Sequence, residues 1–128
     1  MLYVNSQARF NVQGDSGNDL LIGLLVPCIM PVGSLDLIFS GGSGNDLFNL
    51  LIGLEPVSLA PPSDLSTAPT QDGPIRLAVL GGNGDDQLNL TVQNLGNSTS
   101  PFDVRLDGGP GRDTAMASPG IDTSGWTN

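Results

Sequence analysis

The fold depends on the stretch Gly81-Gly82-Asn83-Gly84-Asp85-Asp86-Gln87-Leu88-Asn89, which contains three glycines, two aspartates and the start of a strand-like alternation. The same nine-residue pattern occurs at residues 41–49 (GGSGNDLFN), 14–22 (GDSGNDLLI) and, more loosely, 108–116 (GGPGRDTAM). Glycine permits backbone conformations that other residues avoid, so each copy predicts a tight turn that leads into a strand.

The first glycines of the four turns are Gly14, Gly41, Gly81 and Gly108, at spacings of 27, 40 and 27 residues. The middle spacing equals 27 plus an insertion of 13 residues. If each unit begins six residues before its turn, the units span 8–34, 35–74, 75–101 and 102–128, after a short strand remnant at 1–7. These segments account for the whole chain and predict a single repetitive domain.

An alternating hexapeptide precedes each turn: ARFNVQ (8–13), LDLIFS (35–40), IRLAVL (75–80) and FDVRLD (102–107). Alternation with period two predicts a strand that buries one face. A second strand follows each turn, most clearly in QLNLTV (87–92). The predicted inward positions are Ala8, Phe10 and Val12; Leu35, Leu37 and Phe39; Ile75, Leu77 and Val79; Phe102, Val104 and Leu106; and, in the second strands, Leu21, Phe48, Leu88 and Ala115.

The outward second position of the four hexapeptides holds Arg9, Asp36, Arg76 and Asp103, which alternate in sign. Opposite charges on adjacent strands contribute roughly 0.2–1 kcal/mol each. A one-residue slip would bury these charges, so the alternation favours in-register stacking. By contrast, residues 55–74 contain five prolines and predict a loop that projects from the second unit. This loop is either a tolerated surface insertion or a contact for a partner or a second subunit.

The nine-residue copies resemble the RTX (haemolysin-type) calcium-binding repeat, in which a glycine-rich turn wraps calcium and a short strand of a parallel β-solenoid follows. The resemblance implies an all-β fold. Because the copies are not contiguous, we expect about four coils with one row of calcium-binding turns. The implied metal-binding residues are Gly14, Asp15, Gly17 and Asp19; Gly41, Gly44 and Asp46; Gly81, Gly84 and Asp86; and Gly108, Gly111 and Asp113.

In the RTX-like arrangement the ions lie between stacked turns. About three calcium sites are then expected, between Asp19 and Asp46, between Asp46 and Asp86, and between Asp86 and Asp113. Asp15 offers the first site a further ligand, whereas Arg112 places a positive charge near the last one. A metal-free solenoid whose aspartates cap the turns is the alternative.

The net charge is −9, from thirteen acidic residues and four arginines, and the sequence has no lysine or histidine. This composition argues against nucleic acid as a partner and favours cations. It also provides little for catalysis, so we expect no enzymatic activity. No residue pattern supports a glycan ligand, and a glycan partner is one of the alternatives that the sequence leaves open.

No segment approaches the length of about 18 apolar residues that a membrane span needs, and no cleavable signal is visible at Met1. RTX-like proteins are commonly exported by a type I route that needs no N-terminal signal. The resemblance therefore implies an extracellular or cell-surface location.

No capping segment is evident at either end of the repeats, and uncapped repeats can stack. Unit 102–128 of one molecule would then meet unit 8–34 of the next, with Asp103 opposite Arg9 and a fourth calcium site between Asp113 and Asp19. A head-to-tail contact of this kind propagates as a filament or surface layer. The alternative is a monomeric, calcium-dependent folding or adhesion module of a secreted RTX-like protein. Trp126 is expected to be an end plug or a subunit contact.

Overall fold

The computed structural model describes residues 8–25, 34–53, 74–93 and 102–126. Every regular element in these ranges is a β-strand, which confirms the all-β prediction. The strands are β1 (Ala8–Gln13), β2 (Leu20–Leu25), β3 (Leu35–Ser43), β4 (Leu47–Gly53), β5 (Ile75–Asn83), β6 (Gln87–Gln93), β7 (Phe102–Asp107) and β8 (Thr114–Ala117).

The strands form two four-stranded parallel sheets, one with the order β1-β3-β5-β7 and the other with the order β2-β4-β6-β8. Each repeat contributes one strand to each sheet. In the first sheet Ala8 pairs with Leu35, Leu35 with Ile75 and Ile75 with Phe102. The pairing follows the spacing of the glycine turns, so the predicted strand register is confirmed.

The turns that join the two sheets within each repeat are described, whereas the chain that leads from one repeat to the next is not. These connections comprise residues 26–33, 54–73 and 94–101. The structure therefore shows two parallel sheets rather than the complete path of a solenoid. The strand remnant predicted at 1–7 and nearly all of the loop predicted at 55–74 also lie outside the described residues.

The hydrophobic core is most complete in the middle repeats, where alternate strand residues point inward as predicted. Ile75, Leu77 and Val79 of β5 expose 1% or less of their surface. Phe48 and Leu88 of the second sheet are equally buried. Burying an aliphatic or aromatic side chain stabilises a fold by roughly 1.5–3 kcal/mol, so these positions hold the sheets together.

The first repeat is the exception to this burial. Phe10 and Val12 occupy inward positions of β1, yet they are 48% and 43% exposed because β1 is the end strand of its sheet. In β2 the inward position beside Leu50 is held by Gly23. A Cβ at Gly23 would collide with the ring of Phe39, so this ring takes the space of the missing side chain.

The opposite end of the repeats is covered, and the prediction of an uncapped last repeat is wrong there. The Ser118 amide donates to the Leu90 carbonyl (3.1 Å), which extends the pairing of β8 with β6, and the chain then folds back over the last repeat. The Gly108 amide then donates to the Gly125 carbonyl (3.0 Å). Trp126 is fully buried and meets the Phe48 ring edge-on, with centroids 5.3 Å apart. Trp126 is therefore an end plug, one of its two predicted roles.

The outward charges on the first sheet align as predicted, because Arg9 pairs in register with Asp36, Asp36 with Arg76 and Arg76 with Asp103. The Arg76 guanidinium lies 3.4 Å from the Asp36 carboxylate. More than half of the Arg76 side chain is exposed, and exposed ion pairs contribute at most about 1 kcal/mol. The charge ladder thus favours the register more than it stabilises the fold.

Within the described ranges there is no helix with the length and hydropathy that a membrane crossing needs.

Candidate metal centre

The four glycine turns stack directly on one another at one edge of the two sheets. The Gly17 amide donates to the Ser43 carbonyl (2.7 Å), and the Gly44 amide donates to the Asn83 carbonyl (2.8 Å). Gly44 has a φ of 131°, and a Cβ there would strike the carbonyl of Gly17. Glycine at the fourth turn position is therefore needed both for its conformation and for the close approach.

The sixth turn positions form a column of aspartates that bond from repeat to repeat. Asp46 Oδ1 accepts a hydrogen bond from the Asp19 amide (2.8 Å), Asp86 Oδ1 from the Asp46 amide (2.8 Å) and Asp113 Oδ1 from the Asp86 amide (2.9 Å). Asp46, Asp86 and Asp113 are almost completely buried. We call Asp19, Asp46, Asp86 and Asp113 the aspartate column.

The fifth turn positions form a second column, which the sequence analysis did not identify. Asn18 Oδ1 accepts from the Asn45 amide, Asn45 Oδ1 from the Asp85 amide and Asp85 Oδ1 from the Arg112 amide, each at 2.9 Å. These side chains reach toward the following repeat, whereas those of the aspartate column reach toward the preceding one. The sequence feature that could have predicted this column is the Asn or Asp at the fifth position of three turns.

The second oxygen of each column carboxylate lies beside the first glycine of its own turn. A Cβ on Gly41 would collide with Asp46 Oδ2 and with the carbonyl of Gly81, and a Cβ on Gly81 would meet Asp86 Oδ2 and the carbonyl of Gly108. Asp46 Oδ2 and Asp86 Oδ2 are buried, and no donor in the described part of the chain reaches them. Two carboxylate oxygens are thus enclosed beside backbone carbonyls, with no hydrogen-bond donor to them among the described residues.

Asp86 has the clearest electrostatic perturbation in this column. Burial raises the pKa of its carboxyl above the usual value of 3.8, and the hydrogen bond from the Asp46 amide opposes this effect. The negative charges of Asp46, Asp113 and Asp85 raise the pKa further. The Asp86 carboxylate therefore favours either a bound proton or a bound cation.

The predicted metal-binding residues are brought together along this edge, but not as a cage of acidic side chains. No group of three His, Cys, Asp or Glu side chains converges in the described ranges. One oxygen of each of three column carboxylates, those of Asp46, Asp86 and Asp113, is already bonded to an amide. A cation would therefore combine Oδ2 atoms with backbone carbonyl oxygens, a donor set that suits a hard ion such as calcium.

The two irregular turns differ from the middle ones. The Asp15 carboxylate is exposed and accepts from the Ser16 amide (2.6 Å), while the Asp15 backbone amide faces Asp19 Oδ2 at 3.3 Å. In the fourth turn Arg112 is exposed, and its amide continues the fifth-position column. The enclosed oxygens that receive no hydrogen bond from the described residues belong to the second and third turns.

Comparison of the chain with protein-family models, with curated proteins and with solved structures finds no match.

Proposed function

We propose that this chain is a calcium-binding, non-catalytic structural module whose folding or rigidity depends on calcium bound along the aspartate column. The observation that carries the proposal is the pair of buried Oδ2 atoms of Asp46 and Asp86, to which no residue of the described ranges donates a hydrogen bond. The metal-free alternative, in which the aspartates only cap turns, accounts for the Oδ1 atoms and leaves these two oxygens without a role.

A positive partner is needed at this edge because leaving a buried charged acceptor without a hydrogen bond is costly. A proton on Asp86 meets that need at low pH, since the pKa of this group is raised. At neutral pH a cation supplies the charge instead. The net charge of −9 attracts cations to the whole molecule and strengthens this preference.

Calcium suits the site better than magnesium does. Calcium accepts six to eight oxygen ligands in flexible geometry, whereas magnesium demands a near-ideal octahedron and keeps several waters. Extracellular calcium modules have Kd values of about 10⁻⁴–10⁻³ M, so at millimolar calcium each site would add only about 0.4–1.4 kcal/mol. Several sites acting together would be needed to control folding, which agrees with a repeated turn.

We further propose that the repeats wind as coils of a parallel β-solenoid in a protein that acts outside the cell or on its surface. Two parallel sheets with one strand from each repeat support the solenoid. The extracellular location rests on the resemblance to RTX repeats and on the match between weak calcium sites and millimolar extracellular calcium.

Head-to-tail assembly into a filament or layer is the second candidate. The exposed inward residues Phe10 and Val12 of the first repeat favour it, because they leave apolar surface at one end of the sheets. The segment that covers the last repeat opposes it, because Trp126 lies where a following molecule would stack. We therefore prefer the single module and treat assembly as dependent on that segment.

The decisive experiment is a thermal unfolding series in chelator, in millimolar calcium and in millimolar magnesium, followed by far-UV circular dichroism. We expect calcium to raise Tm and to increase or sharpen the β signal, with a smaller effect of magnesium. The double variant Asp46→Asn/Asp86→Asn should lose most of the calcium response.

The matched control is Asp103→Asn/Asp107→Asn, which removes the same formal charge from two exposed positions of β7 outside both columns. This variant should retain most of the calcium response. Equal melting temperatures of the wild-type protein in calcium and in chelator would exclude the proposal, as would an undiminished response in the Asp46/Asp86 variant.

A further inference from the structure

We propose that Gly125 and Trp126 occupy the surface of the last repeat on which the first repeat of a second copy of this chain would stack, and so block head-to-tail association. The block requires no bound cation. The segment after β8 thus acts as a built-in competitor for self-assembly.

The backbone of Gly125 takes the place of a residue from a following repeat. In the first repeat the Gly14 amide donates to the carbonyl of Ser40 (2.8 Å), the residue before the next repeat's first glycine. In the last repeat the Gly108 amide donates to the carbonyl of Gly125 (3.0 Å). Gly125 is thus equivalent to Ser40, although it lies only 17 residues after Gly108 rather than 26.

The carbonyl of Trp126 likewise replaces that of a first glycine. A Cβ on Gly14, Gly41 or Gly81 would collide with the turn's own aspartate and with the carbonyl of the next repeat's first glycine. On Gly108 the same Cβ would collide with Asp113 Oδ2 and the carbonyl of Trp126. The segment therefore imitates the start of a fifth repeat at the turn edge.

The Trp126 side chain anchors the segment in this position. Its indole is fully buried and packs edge-on against Phe48 with an interplanar angle of 88°. The last repeat has Ala115 where the preceding repeats have Leu88 and Phe48 in register. The smaller Ala115 side chain leaves interior volume for the indole. A true fifth repeat would have glycine at the position of Trp126 and would not fill that volume.

The first repeat of a second copy fits the same surface. Its strands β1 and β2 are end strands, and its inward residues Phe10 and Val12 border an open apolar cleft of about 320 Å³. Stacking in the observed register would place Arg9 of the second copy opposite Asp103, as Arg76 is in this molecule. Backbone register, apolar surface and charge are all complementary.

Two substitutions test the proposal by weakening the segment. Gly125→Val places a Cβ against the Leu106 carbonyl, and Trp126→Ala removes the plug. By sedimentation or light scattering, the wild-type chain should stay monomeric over a concentration series. Each variant, once circular dichroism shows it to be folded, should reach at least about twice the monomer mass as concentration rises.

The other end of the contact supplies the control. Adding Val12→Asp to either variant should restore the monomer, because it charges the apolar surface of β1. Adding Thr91→Asp, an exposed position in the interior strand β6, should leave association unchanged. Folded variants that remain monomeric at all concentrations would overturn the proposal, as would wild-type protein that associates as readily as the variants.

Fluorescence decides the question if both variants fail to fold, because Trp126 is the single tryptophan of the chain. In the native wild-type monomer its emission should be blue-shifted and resistant to acrylamide quenching relative to the unfolded chain. An emission and quenching rate equal to those of the unfolded chain would show that the segment leaves the last repeat open, and would refute the proposal.

Discussion

Asp86 combines complete burial with a carboxylate oxygen that no donor in the described residues reaches. Its other oxygen accepts a hydrogen bond from the Asp46 amide, so the side chain is held in position by one oxygen only. A residue of this kind stabilises the local geometry through one oxygen and opposes folding through the other. Substitutions that separate the two effects are therefore informative.

The first prediction concerns Asp86→Asn in the absence of divalent cations. The amide retains an acceptor for the Asp46 amide and replaces the charged Oδ2 with an NH₂ group that can donate. We expect the variant to be more stable than the wild-type protein by about 1 kcal/mol in chelator, measured by urea unfolding. Asp85→Asn, its exposed neighbour, should change stability much less, and a loss of stability specific to Asp86→Asn would contradict the argument.

The second prediction is a pH dependence. The folded protein binds a proton at Asp86 more tightly than the unfolded chain, because burial raises the pKa of the folded group above 3.8. The resulting contribution to the free energy of unfolding is complete below about pH 3.8 and is lost as the pH rises through the raised pKa.

This contribution is measured as the difference in unfolding free energy between the wild-type protein and Asp86→Asn across a pH series in chelator. The wild-type protein should lose stability relative to the variant as the pH rises. A difference that does not vary with pH would show that the Asp86 pKa is the same in the folded and unfolded states.

The third prediction concerns Gly41, whose Cβ would collide with Asp46 Oδ2 and the carbonyl of Gly81. Gly41→Ala should destabilise the protein by about 1–3 kcal/mol through overpacking, measured by chemical unfolding. It should also weaken the calcium response, because it separates the two oxygens. Ser16→Ala, at an exposed position in the first turn, is the control and should have little effect.

At the scale of the strands, register is set by three features that agree: the glycine turns, the apolar alternation and the charge ladder. The fourth prediction separates the ladder from the other two. Arg76→Gln should cost less than about 1 kcal/mol because more than half of the Arg76 side chain is exposed. Arg76→Asp should cost more, since it places a third negative charge between Asp36 and Asp103.

The comparison is made by thermal unfolding at low and high salt. Screening should reduce the cost of Arg76→Asp and leave that of Arg76→Gln nearly unchanged. Equal costs at both salt concentrations would mean that the ladder contributes no repulsion and that packing alone determines the register.

Strand register could be read from the sequence because stacking identical turns allows few alternatives. The pairing of Gly42 with Gly82 follows from aligning the two turns, and every inward position of β3 and β5 follows from it. The fifth-position column was harder to foresee, because Asn18 and Asn45 are also ordinary turn residues. Only the stacked geometry shows that their side chains bond to the next repeat.

At the scale of the whole molecule, stability should be unequal between the two ends. The first repeat exposes Phe10 and Val12, whereas the last repeat is covered by Trp126. The fifth prediction is that amides of β1 and β2 exchange with solvent faster than those of β5 and β6, measured by hydrogen exchange at neutral pH. Uniform exchange across all eight strands would indicate that the molecule opens only as a unit.

The cap on the last repeat was not predictable from the repeat pattern, because residues 118–126 carry neither the glycine turn nor the alternation. Trp126 also stands where a following repeat would have its first glycine, and aligning the repeats does not reveal that equivalence. The open first repeat was equally hidden, since Phe10 and Val12 follow the same alternation as the buried positions of β3. Burial at the ends of a stack depends on neighbours that a periodic pattern does not contain.

The two columns of turn side chains have a consequence for engineering. The bond from the Asp85 amide to Asn45 spans 40 residues of sequence, and that from the Asn45 amide to Asn18 spans 27, yet both measure 2.9 Å. The geometry of the turn edge is thus indifferent to the length of the intervening connection. A foreign peptide epitope grafted between Gly53 and Pro74 should therefore leave the hydrogen bonds of the turn edge in place while the repeat spacing stays between 27 and 40 residues.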